Sequence, residues 1–418
     1  MRTPLVALTA ALALWACGPD HGALLQPDAG QPGGPSSGSD GGSAATPTWY
    51  ADVLPIVQTG CQGCHVEGGI APFALKEYAQ ARAMSLAMAD AVAQKRMPPW
   101  MPDPACNRYQ NERRLTQAEI DTIVAWANGG APEGNPNDAP PPREEQAGLP
   151  WVDATLDSGV DYTPSTSAGP DDYHCFVVDP GLTRSVDVVG FDILPGQRQE
   201  VHHVLLYSAA AGDAQAKDDA TEGPGWTCFG GPGTPSPQVV GAWAPGSPAT
   251  QFPAGTGVHL IPGTVFVMQI HYNTSAAAPV PDRTTVKLQY ARSTVRPAYI
   301  VPQAEASFLI PPMSSNYSVQ STEKAAPIGL TVYGVLPHMH TLGKHIKVTT
   351  TRGACFVDIP AWNFHWQQFY FFEQPYQYAA GEQRILSCTW DNPTTKPVTW
   401  GEGTSDEMCL DYAYITIP

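Results

Sequence analysis

Hydrophobic positions along this chain follow three patterns. Residues 5–15 form one unbroken apolar run behind Arg2, ending in Leu14-Trp15-Ala16-Cys17. Between about Trp49 and Pro136 apolar residues recur at helical spacing. Residues 77–96 are good helix formers, and from Thr116 a stripe of Ile120, Ile123, Val124 and Ala127 lies on one helical face. Thr116 and Glu119 form a capping box ahead of that stripe, and Gly129-Gly130 ends it. Further on, the pattern shifts to short β-rich runs at 185–189, 201–207, 265–272, 285–290, 330–335, 345–350 and 412–417. Turns of Pro, Gly, Asn and Asp separate them without an amphipathic helix, which predicts β-sandwiches or jelly rolls. The β-rich stretch is too long for one sandwich, so a split near Pro297 is expected.

The expected architecture is therefore multidomain, a small all-α domain followed by two all-β sandwich (jelly-roll-like) domains. Its parts are a signal peptide at 1–17, a tether at 18–48, the helical domain at 49–136, a linker at 137–155, and sandwiches at 156–296 and 297–418. A chain of 418 residues exceeds what one core usually holds. Abundant proline (43) and glycine (39) favour turns and short strands over long helices. The formal net charge of -17 repels phosphate backbones, so nucleic acid is not an expected partner.

The apolar run at 5–15 is too short to span a bilayer but has the length of a signal-peptide core. Small residues before Cys17 resemble the bacterial lipobox, in which the cysteine is lipidated and becomes the mature N-terminus. Gly18 in place of aspartate slightly favours an outer-membrane anchor, by resemblance to known sorting. The expectation is an exported protein, lipid-anchored to the bacterial cell envelope in the periplasm or at the cell surface. Residues 18–48 are Gly, Pro, Ser, Asp and Ala with little to bury, a flexible tether.

Cys61-Gln62-Gly63-Cys64-His65 is C-x-x-C-H, the attachment motif of c-type haem. Two thiols one helical turn apart reach both vinyl groups, and the next histidine sits under the iron. Met97, in Met97-Pro98-Pro99-Trp100, is the expected sixth ligand, because a thioether commonly partners histidine in electron-transfer cytochromes. Met101 is the alternative, while Met84 and Met88 lie at helical spacing and belong to the core. The order of C-x-x-C-H, Gly-Gly-Ile-Ala-Pro-Phe and Met-Pro-Pro-Trp also resembles cytochrome c domains fused to bacterial periplasmic enzymes. Export suits both haem attachment and disulfides.

The remaining histidines carry the main chemistry. His202-His203 lie in Glu-Val-His-His-Val, His271 in Gln-Ile-His-Tyr, and His338 and His340 in His-Met-His-Thr-Leu-Gly-Lys. Met408 lies in Ser-Asp-Glu-Met-Cys. H-x-H on a strand places both imidazoles on one face, within reach of one ion. Imidazole suits zinc, copper, iron or nickel, and an added thioether shifts preference toward copper. These segments, in this order, resemble the two-copper, ascorbate-dependent monooxygenases related to peptidylglycine α-hydroxylating and dopamine β-monooxygenase. The resemblance covers about Asp171 to Pro418. It implies one copper held by His202, His203 and His271, and an oxygen-activating copper held by His338, His340 and Met408, the catalytic set. It further implies O2 and a small organic substrate whose C–H bond is hydroxylated. Electrons would come from an ascorbate-like reductant or a periplasmic redox protein, passing through the fused haem to the electron-storing copper of His202, His203 and His271. Adjacent His202 and His203 point to opposite faces of a regular strand, so one shared ion requires a bulge there.

The resemblance also implies disulfides Cys175–Cys228 and Cys388–Cys409, the second clamping the loop of Met408. Cys106 and Cys355 either pair between the haem and copper domains or stay free. Peptide-amidating relatives hold the substrate carboxylate through an arginine, an asparagine and a tyrosine. Leu336 stands at the arginine position and Leu410 at the asparagine position, and only Tyr412 matches. Without that clamp the expected substrate is a more apolar small molecule. His174, His259, His345 and His365 match no ligand position. The rival expectation is a non-catalytic electron-transfer or copper-handling lipoprotein. A hydrolytic zinc protein is disfavoured, because no H-E-x-x-H supplies a general base.

Overall fold

Strand Leu410–Thr416 alternates between two cores. Ala413 and Ile415 pack with Val332, Val335 and Ile346, whereas Tyr414 packs with Phe252 and Phe371. Successive strand side chains point to opposite faces, so a strand buried along its whole length lies in a sheet covered on both sides. That sheet is the backbone of the molecule. The structure, a computed structural model, describes residues 46–418 except 68–70, 143–147, 168, 245–246, 276–277, 402 and 404. The expected signal peptide, the lipidation site Cys17 and most of the tether lie outside the described residues.

The shared sheet has nine strands. Its main path runs Ala154–Asp157, Thr285–Tyr290, Val186–Leu194, Thr256–Leu260, Arg296–Ala304, Leu410–Thr416, Leu330–His338, Tyr370–Tyr378, with Thr250–Gln251 added beside Val186–Leu194. Its pairs along this path are antiparallel except where Arg296–Ala304 meets Thr256–Leu260 in parallel. That exception falls where a boundary between two sandwiches is expected from the sequence. The two β-units are therefore halves of one sheet, each roofed separately. Over the first half lie Trp226–Thr227, Asp171–Val178, Thr264–Asn273, Val201–Ala210 and Gln238–Trp243. Over the second lie Ser314–Thr322, Arg384–Asn392, Gly343–Thr350 and Cys355–Ile359. All seven β-rich runs read from the sequence fall on strands. Helix Ala211–Asp218 was not legible, since Ala214 is its one buried residue and no apolar stripe marks it.

The N-terminal part is helical. Trp49–Val53, Leu54–Gly60, Tyr78–Ala83, Ser85–Ala93 and Gln117–Asn128 surround a core of Val53, Val57, Met88, Ile123 and Trp126. The Thr116 side chain accepts the Glu119 backbone N–H at 3.3 Å, and the Glu119 carboxylate accepts the Thr116 N–H at 2.7 Å, completing the capping box. The helix expected over 77–96 breaks at Met84, whose ψ of 5° leaves the helical region. No helix among the described residues is long and apolar enough to cross a membrane.

Between the last two of these helices the chain leaves the helical core and lies on the second sandwich. Tyr109 pairs with Phe372 in a β-bridge and is 2% exposed. Its hydroxyl donates to the Phe356 carbonyl at 2.9 Å, and Gln110 Nε2 donates to the Phe372 carbonyl at 2.9 Å. Cys106 and Cys355 form a disulfide there, settling the open alternative in favour of pairing. Cys175–Cys228 and Cys388–Cys409 are also bonded, as the resemblance implied.

The Cys388–Cys409 bridge closes 21 residues. On loop-closure entropy it should contribute about 3 kcal/mol. Replacing both cysteines by serine should lower the unfolding free energy of the metal-free protein by about that amount in a denaturant titration. An unchanged midpoint would show that the loop is ordered without the bridge.

Candidate metal centres

The first histidine cluster is made by a fault in a strand. Val201–Ala210 pairs with Thr264–Asn273, but the register slips between Val201, opposite Tyr272, and His203, opposite His271. One extra residue in one strand is a β-bulge, and it bends the backbone locally. It brings both neighbouring imidazoles to the same side, as the one-ion reading required. His202 Nδ1 lies 3.3 Å from His203 Nδ1, and His203 Nδ1 lies 3.4 Å from His271 Nδ1. The three ligand atoms all fall within 4.8 Å of one another. Three nitrogens this close can share hydrogen bonds at most, whereas a cation among them satisfies all three lone pairs.

The outer side of the cluster fixes its orientation. His271 Nε2 donates to the Asp171 carboxylate at 2.9 Å, and Asn273 Nδ2 donates to the same oxygen at 2.8 Å. With the proton held on Nε2, Nδ1 presents its lone pair inward, the carboxylate–histidine arrangement of metal sites. Tyr173 stacks nearly parallel on the His271 ring at 4.1 Å.

The second group forms where Leu330–His338 runs beside Leu410–Thr416. His338 lies opposite Leu410, and Leu336 opposite Tyr412. Met339 points into the core, while His338 and His340 flank it with ring centroids 5.1 Å apart. His338 Nδ1 donates to Gln367 Oε1 at 2.5 Å, and His340 Nδ1 donates to the Asp406 carbonyl at 3.1 Å. Each bond turns the ring's Nε2 the other way. Met408 is 5% exposed, on the segment that leads into the strand beside His338.

A fully buried carboxylate joins these pieces. Glu407 accepts the backbone N–H groups of His340 at 2.9 Å, Leu342 at 2.6 Å and Met408 at 3.3 Å, and Trp390 Nε1–H at 2.8 Å. Burial pushes its carboxyl up to about 7, while these four donors pull the other way, toward the carboxylate. Gly343 has its own reason. A Cβ there would stand 2.6 Å from the Trp362 ring, whose Nε1–H donates to the His340 carbonyl at 3.1 Å.

The two groups face each other. His203 and His338 have ring centroids 6.3 Å apart. Phe364, buried, stacks on His202 at 4.6 Å and lies 5.7 Å from His340. Burial lowers His202 and His338 to about 3 and His340 to about 4, and lowers His203 and His271 too. Neighbouring imidazoles add to the effect at His202, His203 and His338. All five are therefore neutral at pH 7, the state that binds metal. Of the remaining histidines, His174 bonds the Pro224 carbonyl, His259 bonds Asp187 and His345 bonds Asp358. His365 is exposed at the rim of the first cluster, its ring 6.4 Å from His202.

At the C-x-x-C-H motif, Cys61 and Cys64 are free thiols, and burial pushes Cys61 up to about 12. His65 Nδ1 donates to the Phe73 carbonyl at 3.1 Å, which leaves Nε2 as the metal-facing nitrogen. The ring of Pro98 lies against Gly60, 3.5 Å from where a Cβ would stand, so Met97-Pro98 approaches the motif. Met101 is turned away. Its sulfur accepts the Asn363 N–H at 3.2 Å, and its side chain packs on the second sandwich. These donors suit a covalently attached haem.

Residues 164–278 match the N-terminal domain of the copper type II ascorbate-dependent monooxygenases, and residues 296–416 match their C-terminal domain. Together these cover more than half of the chain, which belongs to that family. It is similar to DBH-like monooxygenase protein 1 of Homo sapiens (24% identical, over 57% of this chain and 41% of the relative) and of Gallus gallus (26%, 51% and 38%). Putative DBH-like monooxygenase protein 2 of Homo sapiens is 25% identical over 51% of this chain and 46% of the relative. The chain thus spans about two fifths of the length of the curated relatives it matches.

The sequence reading missed the residues that aim the ligands. Asp171, Gln367, Phe364 and Glu407 carry no spacing signal, although Glu407 sits inside the motif that supplies Met408.

The pH dependence follows from the direction of the shifts. His340 is lowered to about 4 in the fold, so the unfolded chain takes up a proton first as pH falls below about 6.5. Its contribution is complete above pH 6.5 and is lost progressively as pH falls toward 4. The metal-free protein should lose about 1.4 kcal/mol per pH unit per such imidazole in that window. His340→Gln should show a shallower slope in denaturant titrations at pH 7, 6, 5 and 4, and an equal slope would refute the assignment.

Proposed function

We propose that this chain is an exported monooxygenase that hydroxylates a C–H bond of a small, mostly apolar organic molecule with O2. In this reading His202, His203 and His271 hold one copper, and His338, His340 and Met408 hold the second. Cys61, Cys64, His65 and Met97 hold a c-type haem. When bound, the coppers supply one-electron redox steps and O2 activation, and the haem relays electrons from an ascorbate-like reductant or a redox protein. The observation that carries the reading is the meeting of three imidazole nitrogens at the bulge, facing a second imidazole pair across Phe364.

The protein's own groups have definite tasks. Asp171, Gln367 and the Asp406 carbonyl hold one proton on each of three rings, so that the other nitrogen stays a ligand. Glu407 and the Cys388–Cys409 bridge hold the Met408 segment beside His340, which matters because a thioether is a weak ligand with a flexible side chain. The wall next to His338 is apolar. Leu336 and Leu410 lie on its face of the sheet, with half-buried Tyr412 as the phenol among them. Leu336 and Leu410 offer no charged group to take a carboxylate, which supports an apolar substrate over a peptide acid. The expected lipid anchor at Cys17 would hold the enzyme on the cell envelope.

Purified protein should contain two coppers and one haem per chain. It should consume O2 only with a reductant and an organic substrate present. His338→Ala and Met408→Ala should each lower product formation by more than about 100-fold while leaving the haem spectrum intact, since even partners of ligands are worth 10–100-fold. Hydroxylation by either variant at the parent rate, or tight copper binding with no O2 uptake, would move the chain to the electron-carrier reading.

A further inference from the structure

The loop between Cys355–Ile359 and Tyr370–Tyr378 carries two adjacent glutamines that point to different partners. Gln367 Oε1 accepts the Nδ1–H of His338 at 2.5 Å, and its Nε2 donates to the Phe364 carbonyl at 2.8 Å. Its carbonyl accepts the Ser247 hydroxyl of the first sandwich at 3.4 Å. Gln368 Oε1 accepts Nη2–H of Arg113 at 2.8 Å. The Arg113 guanidinium lies over the ring of Trp100, 6.0 Å from its centroid, and Trp100 closes the Met97-Pro98-Pro99-Trp100 segment whose Pro98 ring packs against Gly60, the residue before Cys61. Arg113 therefore joins the Met97–Trp100 segment on one side to this loop on the other.

The junction is fixed. The segment before Arg113 is held by the Cys106–Cys355 disulfide, by Tyr109 and Gln110, and by the Asp103 N–H, which donates to the Asp358 carbonyl at 2.7 Å. A helical unit joined only by a flexible linker would need none of these contacts.

We propose that Arg113, Gln368 and Gln367 form the electron-entry path from the haem site to the copper held by His338 and His340. The proposal rests on the functional reading above; it adds a route, and it puts the first acceptor at His338 and His340 in place of the His202, His203 and His271 copper expected from the sequence. One electron leaves the haem iron, ferrous to ferric, and arrives at that copper, cupric to cuprous, with no bond made or broken. Tunnelling decays more slowly along covalent and hydrogen bonds than across van der Waals gaps. From Arg113 to the His338 ring every link is a covalent bond or a hydrogen bond of 2.8 Å or less. From the same loop the His202 ring is approached through ring contacts, the stacked face of Phe364 at 4.6 Å and the His365 ring at 6.4 Å. Arg113 and the glutamines are positioning residues, since none touches substrate.

The test uses holoprotein in which haem and copper have both been counted. The haem of the oxidised protein is reduced by a light-generated flavin radical. Its reoxidation is followed by absorbance, and the loss of cupric signal by electron paramagnetic resonance. Arg113→Met and Gln368→Leu should each slow reoxidation roughly tenfold, within the range by which networked side chains modulate coupling. The haem potential should stay unchanged, and Arg113→Lys should recover much of the rate. Gln110→Ala, which removes a docking bond off the path, should leave the rate as it was. The fast phase should vanish in His338→Ala and persist in His203→Ala. Parent rates in both path variants, equal slowing by Gln110→Ala, or loss of the fast phase in His203→Ala alone would overturn the route. A chain that binds no haem or no copper would instead remove the proposed function, and the route with it.

Discussion

The parallel pairing of Arg296–Ala304 with Thr256–Leu260 is the constraint on which the rest of the molecule depends. Two sandwiches joined by a linker would leave their metal-binding edges free to separate. Here the join is made of backbone hydrogen bonds inside one sheet, and Thr256 and Tyr414 bond across it through their hydroxyls at 2.9 Å. Opening it would expose the buried side of that join, Ala298 and Ile300. With the halves fixed, the bulge of the first roof and the strand end beneath the second meet, and His203 stands 6.3 Å from His338.

Given that placement, protons decide what the clusters can do. Burying a charged imidazole is costly, so all five rings are held neutral, and each neutral ring has one protonated nitrogen to hide. Asp171, Gln367 and the Asp406 carbonyl take three of those protons on the outer side. The same bonds that satisfy the rings also aim their lone pairs. Metal affinity and folding are thus secured by the same few contacts, and Glu407 extends the arrangement to Met408 by holding four N–H groups at once.

Much of this was legible in the sequence because it rests on short-range patterns. Short β-rich runs between turns marked the strands, Thr116 and Glu119 marked a helix start, and His202-His203 required a bulge that the register between Val201 and His203 supplies. Long-range pairing was not legible. That Arg296–Ala304 joins two units depends on which edge strands remain free once each half has formed. Gln367 and Asp171 lie on segments whose local pattern is ordinary, and they are recognised only once the fold sets them against His338 and His271. The Cys106–Cys355 bond could not be derived for the same reason, since its partners are 249 residues apart.

The segment that carries Trp100 to Arg114 explains why sequence boundaries mislead here. By composition it belongs between two helices of the small domain, yet Tyr109 is buried in the second sandwich and packs at a tilt on Tyr370, ring centroids 5.5 Å apart. A chain that only had to connect two helices could do so with a short polar loop. This one is fastened by a disulfide and several aromatic rings to the two strands that flank the loop of Gln367 and Gln368. Under the proposed electron route such a junction would keep donor and acceptor at a fixed distance, on which electron transfer depends steeply. The segment between the helices is thus fastened to the second sandwich by a disulfide and buried hydrogen bonds and is more than a connecting loop.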